Sequence, residues 1–135
     1  MSPLRLTAFV YFLVLLLAAC LNYLPFIPVE DGKTFGIFAL DIYDDALHLA
    51  SAAWAGIAAL IGARAAYYFL LYFGILYFGD GLLGLLTGSG YLDLGIINYG
   101  IQDLPFSFRI MANLPHLALG GLAFAASRIF RAQLA

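Results

Sequence analysis

Leu47-His48-Leu49 and Pro115-His116-Leu117 contain the two histidines of this 135-residue chain, and each triplet opens a long apolar run. The histidines are 68 positions apart (116 − 48), close to half of the chain length. Acidic or amide residues precede both of them: Asp44 and Asp45 before His48, and Asn113 before His116. The pattern predicts that the chain consists of two tandem copies of one unit.

The composition indicates an integral membrane protein. Hydrophobic residues make up 64% of the chain and charged residues 10%, whereas soluble domains have roughly 45–50% and about 25%. A chain this short cannot hide so many apolar side chains in one water-soluble core. The formal net charge of −2 without a basic patch argues against nucleic-acid binding. A single cysteine excludes an internal disulfide.

Four apolar runs approach the roughly 20 residues that a helix needs to cross a bilayer. We therefore predict a single all-α transmembrane domain over residues 1–135, a four-helix bundle built from two two-helix repeats. The predicted repeat halves are about 1–64 and 65–135. The predicted spans are about 6–24, 46–63, 65–86 and 113–129.

Local signals set the ends of these spans. Span one stops at Pro25, which cannot continue a helix. Gly62-Ala63-Arg64 joins spans two and three almost directly, so we expect a tight antiparallel pair. We expect Asn113 to cap span four and Pro115 to lie in its first turn, where proline is tolerated.

The basic residues predict the orientation. Lys33 and Arg109 fall on one side of the predicted spans, and the other side carries twice as many basic residues. The positive-inside rule therefore places both termini and the short Arg64 turn in the cytoplasm, with both longer connections outside. The cytoplasmic arginines are expected to anchor the chain at phospholipid headgroups: Arg5, Arg64, Arg128 and Arg131.

Leu17-Ala18-Ala19-Cys20 permits another interpretation of the first span, because it matches the cleavage box of bacterial lipoproteins. Cys20 would then become the lipidated first residue. Apolar sequence continues through Leu24, as expected for a true span, so we favour the transmembrane interpretation.

Several stretches together resemble a bacterial family of small four-helix integral membrane proteins of unknown function. Members resemble this chain in a Gly-x-Phe segment and in an Asn- or Asp-rich approach to His-Leu, repeated before helices two and four. Asp41, Asp44 and Asp45 stand where asparagines are common in the family. The resemblance implies a fold and a membrane location, and it supplies no activity. It rests on Leu24-Pro25-Phe26-Ile27-Pro28, Gly36-Ile37-Phe38, Asp44-Asp45-Ala46-Leu47-His48-Leu49, Gly74, Tyr77 and Asn113-Leu114-Pro115-His116-Leu117.

Polar residues are expected to gather in the outer third of the bilayer. His48 lies about 5 Å below the outer end of span two, and Asp80 about 10 Å below that of span three, at 1.5 Å per helical residue. Ionisable groups at such depths are unfavourable unless they pair or reach water. The candidate polar or metal site comprises Asp44, Asp45, His48, Asp80, Asn113 and His116.

Three interpretations of this site stay open. In the first, the histidines bond to Asp or Asn side chains near the helix starts, and Asp80 bonds a neighbour such as His116 or Tyr43. In the second, two imidazoles and the carboxylates bind a metal such as zinc or relay protons. In the third, haem lies between the histidines. We expect no cofactor.

Glycines predict where the helices approach closely, because small residues allow backbones to meet. The expected packing positions lie in spans two, three and four: Gly56, Gly74, Gly79, Gly81, Gly84, Gly120 and Gly121.

Small loops leave no room for a soluble catalytic domain, so we expect a non-enzymatic protein of the bacterial inner membrane. We expect a structural or accessory subunit that contacts the lipid bilayer and either other membrane subunits or copies of itself. Alternatives are a small transporter or proton- or metal-ion-handling protein using His48, Asp80 and His116, or a membrane enzyme with a metal at its outer face.

Overall fold

The computed structural model describes residues 1–134 and is mostly helical. Two short strands, β1 (Val29–Glu30) and β2 (Lys33–Thr34), form an antiparallel hairpin in the first long connection, and the one-turn helix α4 (Gly95–Asn98) lies in the other. The all-α prediction therefore fits the four long helices and omits this hairpin. The elements are α1 (Pro3–Cys20), β1 (Val29–Glu30), β2 (Lys33–Thr34), α2 (Ile42–Ile61), α3 (Ala63–Thr87), α4 (Gly95–Asn98) and α5 (Phe106–Ile129).

Three helical stretches are long and apolar enough to cross a membrane: Pro3–Tyr23, Ala63–Thr87 and Phe106–Ile129. The first consists of α1 and the 3-10 turn Leu21–Tyr23 that follows it. These three stretches support the prediction of a membrane protein. Helix α2 has 20 residues and is not among the three.

The long helices pack as two hairpins. Arg5 in the first turn of α1 donates through Nε to the Ala59 carbonyl oxygen near the end of α2 (2.7 Å), so α1 and α2 are antiparallel. Arg128 near the end of α5 donates to the hydroxyl of Tyr67 near the start of α3 (3.2 Å), so α3 and α5 are antiparallel as well. The buried core lies between the hairpins and includes Phe69 and Phe73 of α3.

Glycine Gly62 alone separates α2 from α3. Its φ of 154° lies in the region that L-amino acids with side chains rarely adopt. The chain therefore reverses direction in one residue, as expected from the sequence around Arg64.

Helix α5 begins at Phe106, not near Asn113. Asn113 is inside the helix, and its side-chain amide donates to the Arg109 carbonyl oxygen at 2.8 Å instead of capping. Pro115 also lies within α5. Proline removes one i→i−4 hydrogen bond, and membrane helices tolerate this where neighbouring helices hold the backbone. The packing of α3 against α5 supplies that support.

Helix α2 also begins earlier than the sequence prediction, at Ile42 instead of residue 46. Asp41 caps it, because its side chain accepts from the backbone N–H groups of Tyr43 and Asp44 at 3.0 and 3.1 Å. The Asp44 carboxylate accepts in return from the Asp41 N–H at 3.3 Å, which completes a capping box.

Candidate functional site: a polar cavity at one end of the helices

A cavity of about 550 Å³ lies where the end of α1, the starts of α2 and α5, the end of α3 and the two long connections meet. It brings together five of the six residues that the sequence proposed for the polar site: Asp44, His48, Asp80, Asn113 and His116. The sixth, Asp45, is not in the lining; it accepts a hydrogen bond from the hydroxyl of Tyr23.

Asp80 is the most fully bonded of these residues. Its side chain is buried, and its Oδ2 pairs with Nδ1 of His116. Its Oδ1 accepts from the backbone N–H groups of Tyr91 and Leu92, each at 2.8 Å. The hydrogen bonds of Asp80 therefore hold the connection after α3 against α3 itself. His116 was one of the expected partners, and the two backbone N–H groups were not foreseen.

His48 lacks the Asp or Asn hydrogen bond that the structural interpretation gave it. It is 6% exposed, and its Nδ1 is buried without a hydrogen-bond partner among residues 1–134. Its ring meets that of His116 edge to face, with centroids 6.0 Å apart. The two histidines therefore contact each other, but only His116 is held by a carboxylate.

Two further side chains, Tyr77 and Ser51, lie beside the histidines. The Tyr77 ring lies 4.9 Å from that of His116 and 3.9 Å from that of Phe73, between centroids. Its hydroxyl is hydrogen-bonded to Ser51 Oγ at 2.8 Å. The signal in the sequence was helical spacing, since Ser51 follows His48 by three residues and Tyr77 precedes Asp80 by three.

Asp93 is the acidic residue that the sequence reasoning missed at this site. It comes from the connection before α4 and lines the cavity together with Asp44. Its Oδ1 accepts from the Gly95 N–H at 2.9 Å. No sequence spacing links residues 44 and 93, because their placement at one cavity depends on how the connection folds over the helix ends.

Asp41 binds the second connection to the start of α2, since its Oδ2 accepts from the Tyr99 hydroxyl at 2.8 Å. Partial burial acts to raise the pKa of Asp41, but hydrogen bonds from the Asp44 N–H and the Tyr99 hydroxyl outweigh it and keep this pKa below its usual value. The same hydrogen bond raises the pKa of Tyr99.

Acidic and histidine side chains do not form a metal-ligand cluster in the described part of the chain. No group of three or more His, Cys, Asp or Glu residues within residues 1–134 is arranged to hold a metal ion. The Asp80–His116 pair and His48 are therefore better described as a polar cluster at a cavity than as a metal centre.

The basic side chains lie at opposite ends of the long helices. Arg5 and Arg128 contact the ends of α2 and α3 that lie away from the cavity. Lys33 and Arg109 lie at the cavity end: the Lys33 ammonium is 5.2 Å from the Phe108 ring centroid, and Arg109 donates to the Leu86 carbonyl oxygen at 3.2 Å.

Compared with protein-family models, curated proteins and solved structures, the chain has no match. The likeness to small four-helix membrane proteins therefore stays a prediction from the histidine motifs.

Proposed function

We propose that this chain is a four-helix integral protein of the bacterial inner membrane. The outward-facing side chains of the long helices are strongly apolar, as expected for contact with lipid; Leu60 of α2, for example, is 78% exposed. Helix α2 would be the fourth span, with Asp44 and His48 near its polar end. The positive-inside rule applied to the four arginines supports cytoplasmic termini and an outward-facing cavity.

Within that membrane we propose a structural or accessory role, exerted by helix packing against other subunits or a second copy, and no catalytic activity. The observation that carries this proposal is the use made of Asp80. All three of its hydrogen bonds go to the protein's own groups, so this buried carboxylate serves to stabilise the fold.

Extraction from native membranes in a mild detergent tests the accessory role. We expect the protein to migrate with other subunits or as an oligomer in size-exclusion chromatography. A protein that always runs as a lone monomer, across several mild detergents, would contradict the proposal.

A second candidate function is proton or ion handling, and the observation that favours it is His48. Its Nδ1 has no partner in the described chain and its ring adjoins the Asp80–His116 pair at the cavity. To test this candidate, the protein is reconstituted into liposomes, and a pH- or metal-sensitive dye inside them measures proton or metal-ion flux. Flux that Asp80→Asn and His48→Ala both abolish would support it, and flux unchanged by both would exclude it.

A further inference from the structure

The polar cavity has an acidic part that forms no ion pair with a basic side chain of residues 1–134. Asp44 is 7% exposed, and it lines the cavity together with Asp93. The one ion pair in residues 1–134 is Asp80 with His116. Two neighbouring carboxylates in a partly buried place repel each other unless a cation or a shared proton lies between them.

The basic residues at the cavity do not pair with these carboxylates. Lys33 lies over the Phe108 ring, and Arg109 donates to the Leu86 carbonyl oxygen with its guanidinium 5.5 Å from the Phe106 ring centroid. Neither forms an ion pair with Asp44 or Asp93. If a cation and not a shared proton lies between these carboxylates, it comes from outside the described chain.

His48 is the independent observation that points to a ligand. Its side chain is 94% buried (6% exposed) and lines the cavity. Nδ1 is enclosed without a hydrogen-bond partner in residues 1–134, so Nε2 is the ring nitrogen left for a ligand. It lies four residues after Asp44, so both side chains are on the same face of α2. A neutral imidazole offers one acceptor nitrogen. His48, Asp44 and Asp93 therefore present three acceptors at one cavity.

An ammonium group matches these acceptors, because it carries three N–H donors and one positive charge. The rest of the cavity suits an organic body, since Phe38, Leu104, Phe108 and Leu119 also line it. Aromatic faces attract cations as well. A bare metal ion fits less well, because no cluster of three metal-ligating side chains exists in the described chain.

We infer that this cavity binds a small organic ammonium ion, with its charged nitrogen at Asp44, Asp93 and His48 and its apolar body against the Phe108 side of the cavity. This inference goes beyond the proposed accessory role and depends only on the fold around the cavity.

Binding of benzylammonium to the detergent-solubilised full chain tests the inference, measured by calorimetry and by the shift in melting temperature. Benzyl alcohol and benzoate are matched probes, because they keep the ring and replace the ammonium by a neutral or anionic group. We expect saturable binding of benzylammonium at least about 10-fold tighter than of either probe, as expected for a charge-assisted hydrogen bond.

Asp93→Asn and Asp44→Asn are each expected to weaken benzylammonium binding at least about 10-fold. Asp103→Asn is the matched control, because Asp103 is exposed, lies in the same connection as Asp93 and is outside the cavity lining; its binding should equal that of the unchanged protein. Asp93→Asn keeps an oxygen acceptor for the Gly95 N–H, so this variant should fold even if Asp44→Asn does not.

Three results would overturn the inference. The first is equal binding of benzylammonium and benzyl alcohol. The second is benzylammonium binding that a folded Asp93→Asn variant retains in full. The third is saturable stabilisation by Ca²⁺ or Na⁺ with none by benzylammonium, which would assign the acidic pair to an inorganic cation. None of these results bears on whether the protein associates with other subunits, so the accessory role is tested separately.

Discussion

Asp80 shows how one buried carboxylate can define the end of a helical protein. Its two oxygens hold a histidine of α5 and two consecutive N–H groups of the connection after α3. Hydrogen bonds to an ionised acceptor are about twice as strong as neutral ones. The sequence indicated that Asp80 needed a partner at its depth, but it gave no sign of the Tyr91 and Leu92 contacts, which depend on the path of an irregular connection.

Asp80→Ala should destabilise the fold by at least about 2 kcal/mol, because it leaves two N–H groups and an imidazole without their acceptor. Thermal unfolding in detergent measures the loss. Hydrogen exchange at Tyr91 and Leu92 should accelerate in parallel. The exposed residue Asp103 gives the control, since Asp103→Ala should change neither quantity; equal exchange at Tyr91 in both variants would contradict the fastening role.

Asp41 permits a second residue-scale prediction, about capping. Asp41→Ala should cost about 1 kcal/mol, because the N-terminal N–H groups of α2 lose their acceptor. Asp41→Asn should cost much less, because asparagine caps about as well as aspartate. Thermal unfolding of the two variants distinguishes capping from charge; equal losses would show that the charge matters more than the cap.

The lowered pKa of Asp41 adds a pH dependence. The unfolded chain binds the proton more tightly than the folded protein. The stabilisation is therefore fully present above about pH 4, near the ordinary aspartate pKa, and is lost as the pH falls through the lower folded value. Acid unfolding should show this extra loss in the unchanged protein and not in Asp41→Asn. Superimposable acid transitions of the two proteins would disprove the assignment.

At the scale of elements, the interface between α3 and α5 depends on glycines that let two backbones meet. A Cβ atom at Gly74 would lie 2.6 Å from the Phe124 nitrogen, and one at Gly120 would overlap the Phe78 nitrogen. Of the other expected packing positions, Gly81 and Gly84 face Leu117 and Asn113 of α5. The remaining three are Gly56, which faces Phe12 of α1, Gly79, which faces the Tyr91 hydroxyl, and Gly121, where an added Cβ would be in ordinary contact with the Phe78 ring at 3.7 Å.

Gly120→Ala should therefore destabilise the protein by about 1–3 kcal/mol, because the added methyl group forces α3 and α5 apart. Gly121→Ala is the neighbouring control. Its methyl group has space, and alanine favours helix by up to about 1 kcal/mol, so stability should stay equal or rise. Melting temperatures in one detergent decide the matter, and similar effects of both changes would argue against a close contact at Gly120.

The long helices could be predicted from the sequence, because the length of an apolar run does not depend on the rest of the fold. The ends of those helices depend on individual side chains. Asp41 lengthens α2 at its start through a capping box, and α5 extends seven residues before the expected Asn113 because Pro115 is tolerated inside a packed helix. The placement of Asp93 at the same cavity as Asp44 could not be predicted, because it depends on the path of an irregular connection.

At the scale of the whole molecule, the opposite placement of the basic residues supports the proposed orientation. Labelling with a membrane-impermeant maleimide tests it in a Cys20→Ser background. A cysteine placed at Asp103, which is exposed at the cavity end, should react in intact spheroplasts. One placed at Gln133, exposed at the other end, should react only after permeabilisation. The reverse pattern would invert the orientation and turn the cavity towards the cytoplasm.

The single-residue link at Gly62 also has a consequence for biosynthesis. Helix α2 is the long helix outside the three apolar stretches, whereas α3 begins directly after Gly62 and is one of them. In the proposed topology, the two helices leave the ribosome with one residue between them and reach the insertion machinery together. Partitioning of the more polar α2 into lipid is then coupled to that of α3, so the pair enters the bilayer as one helical hairpin.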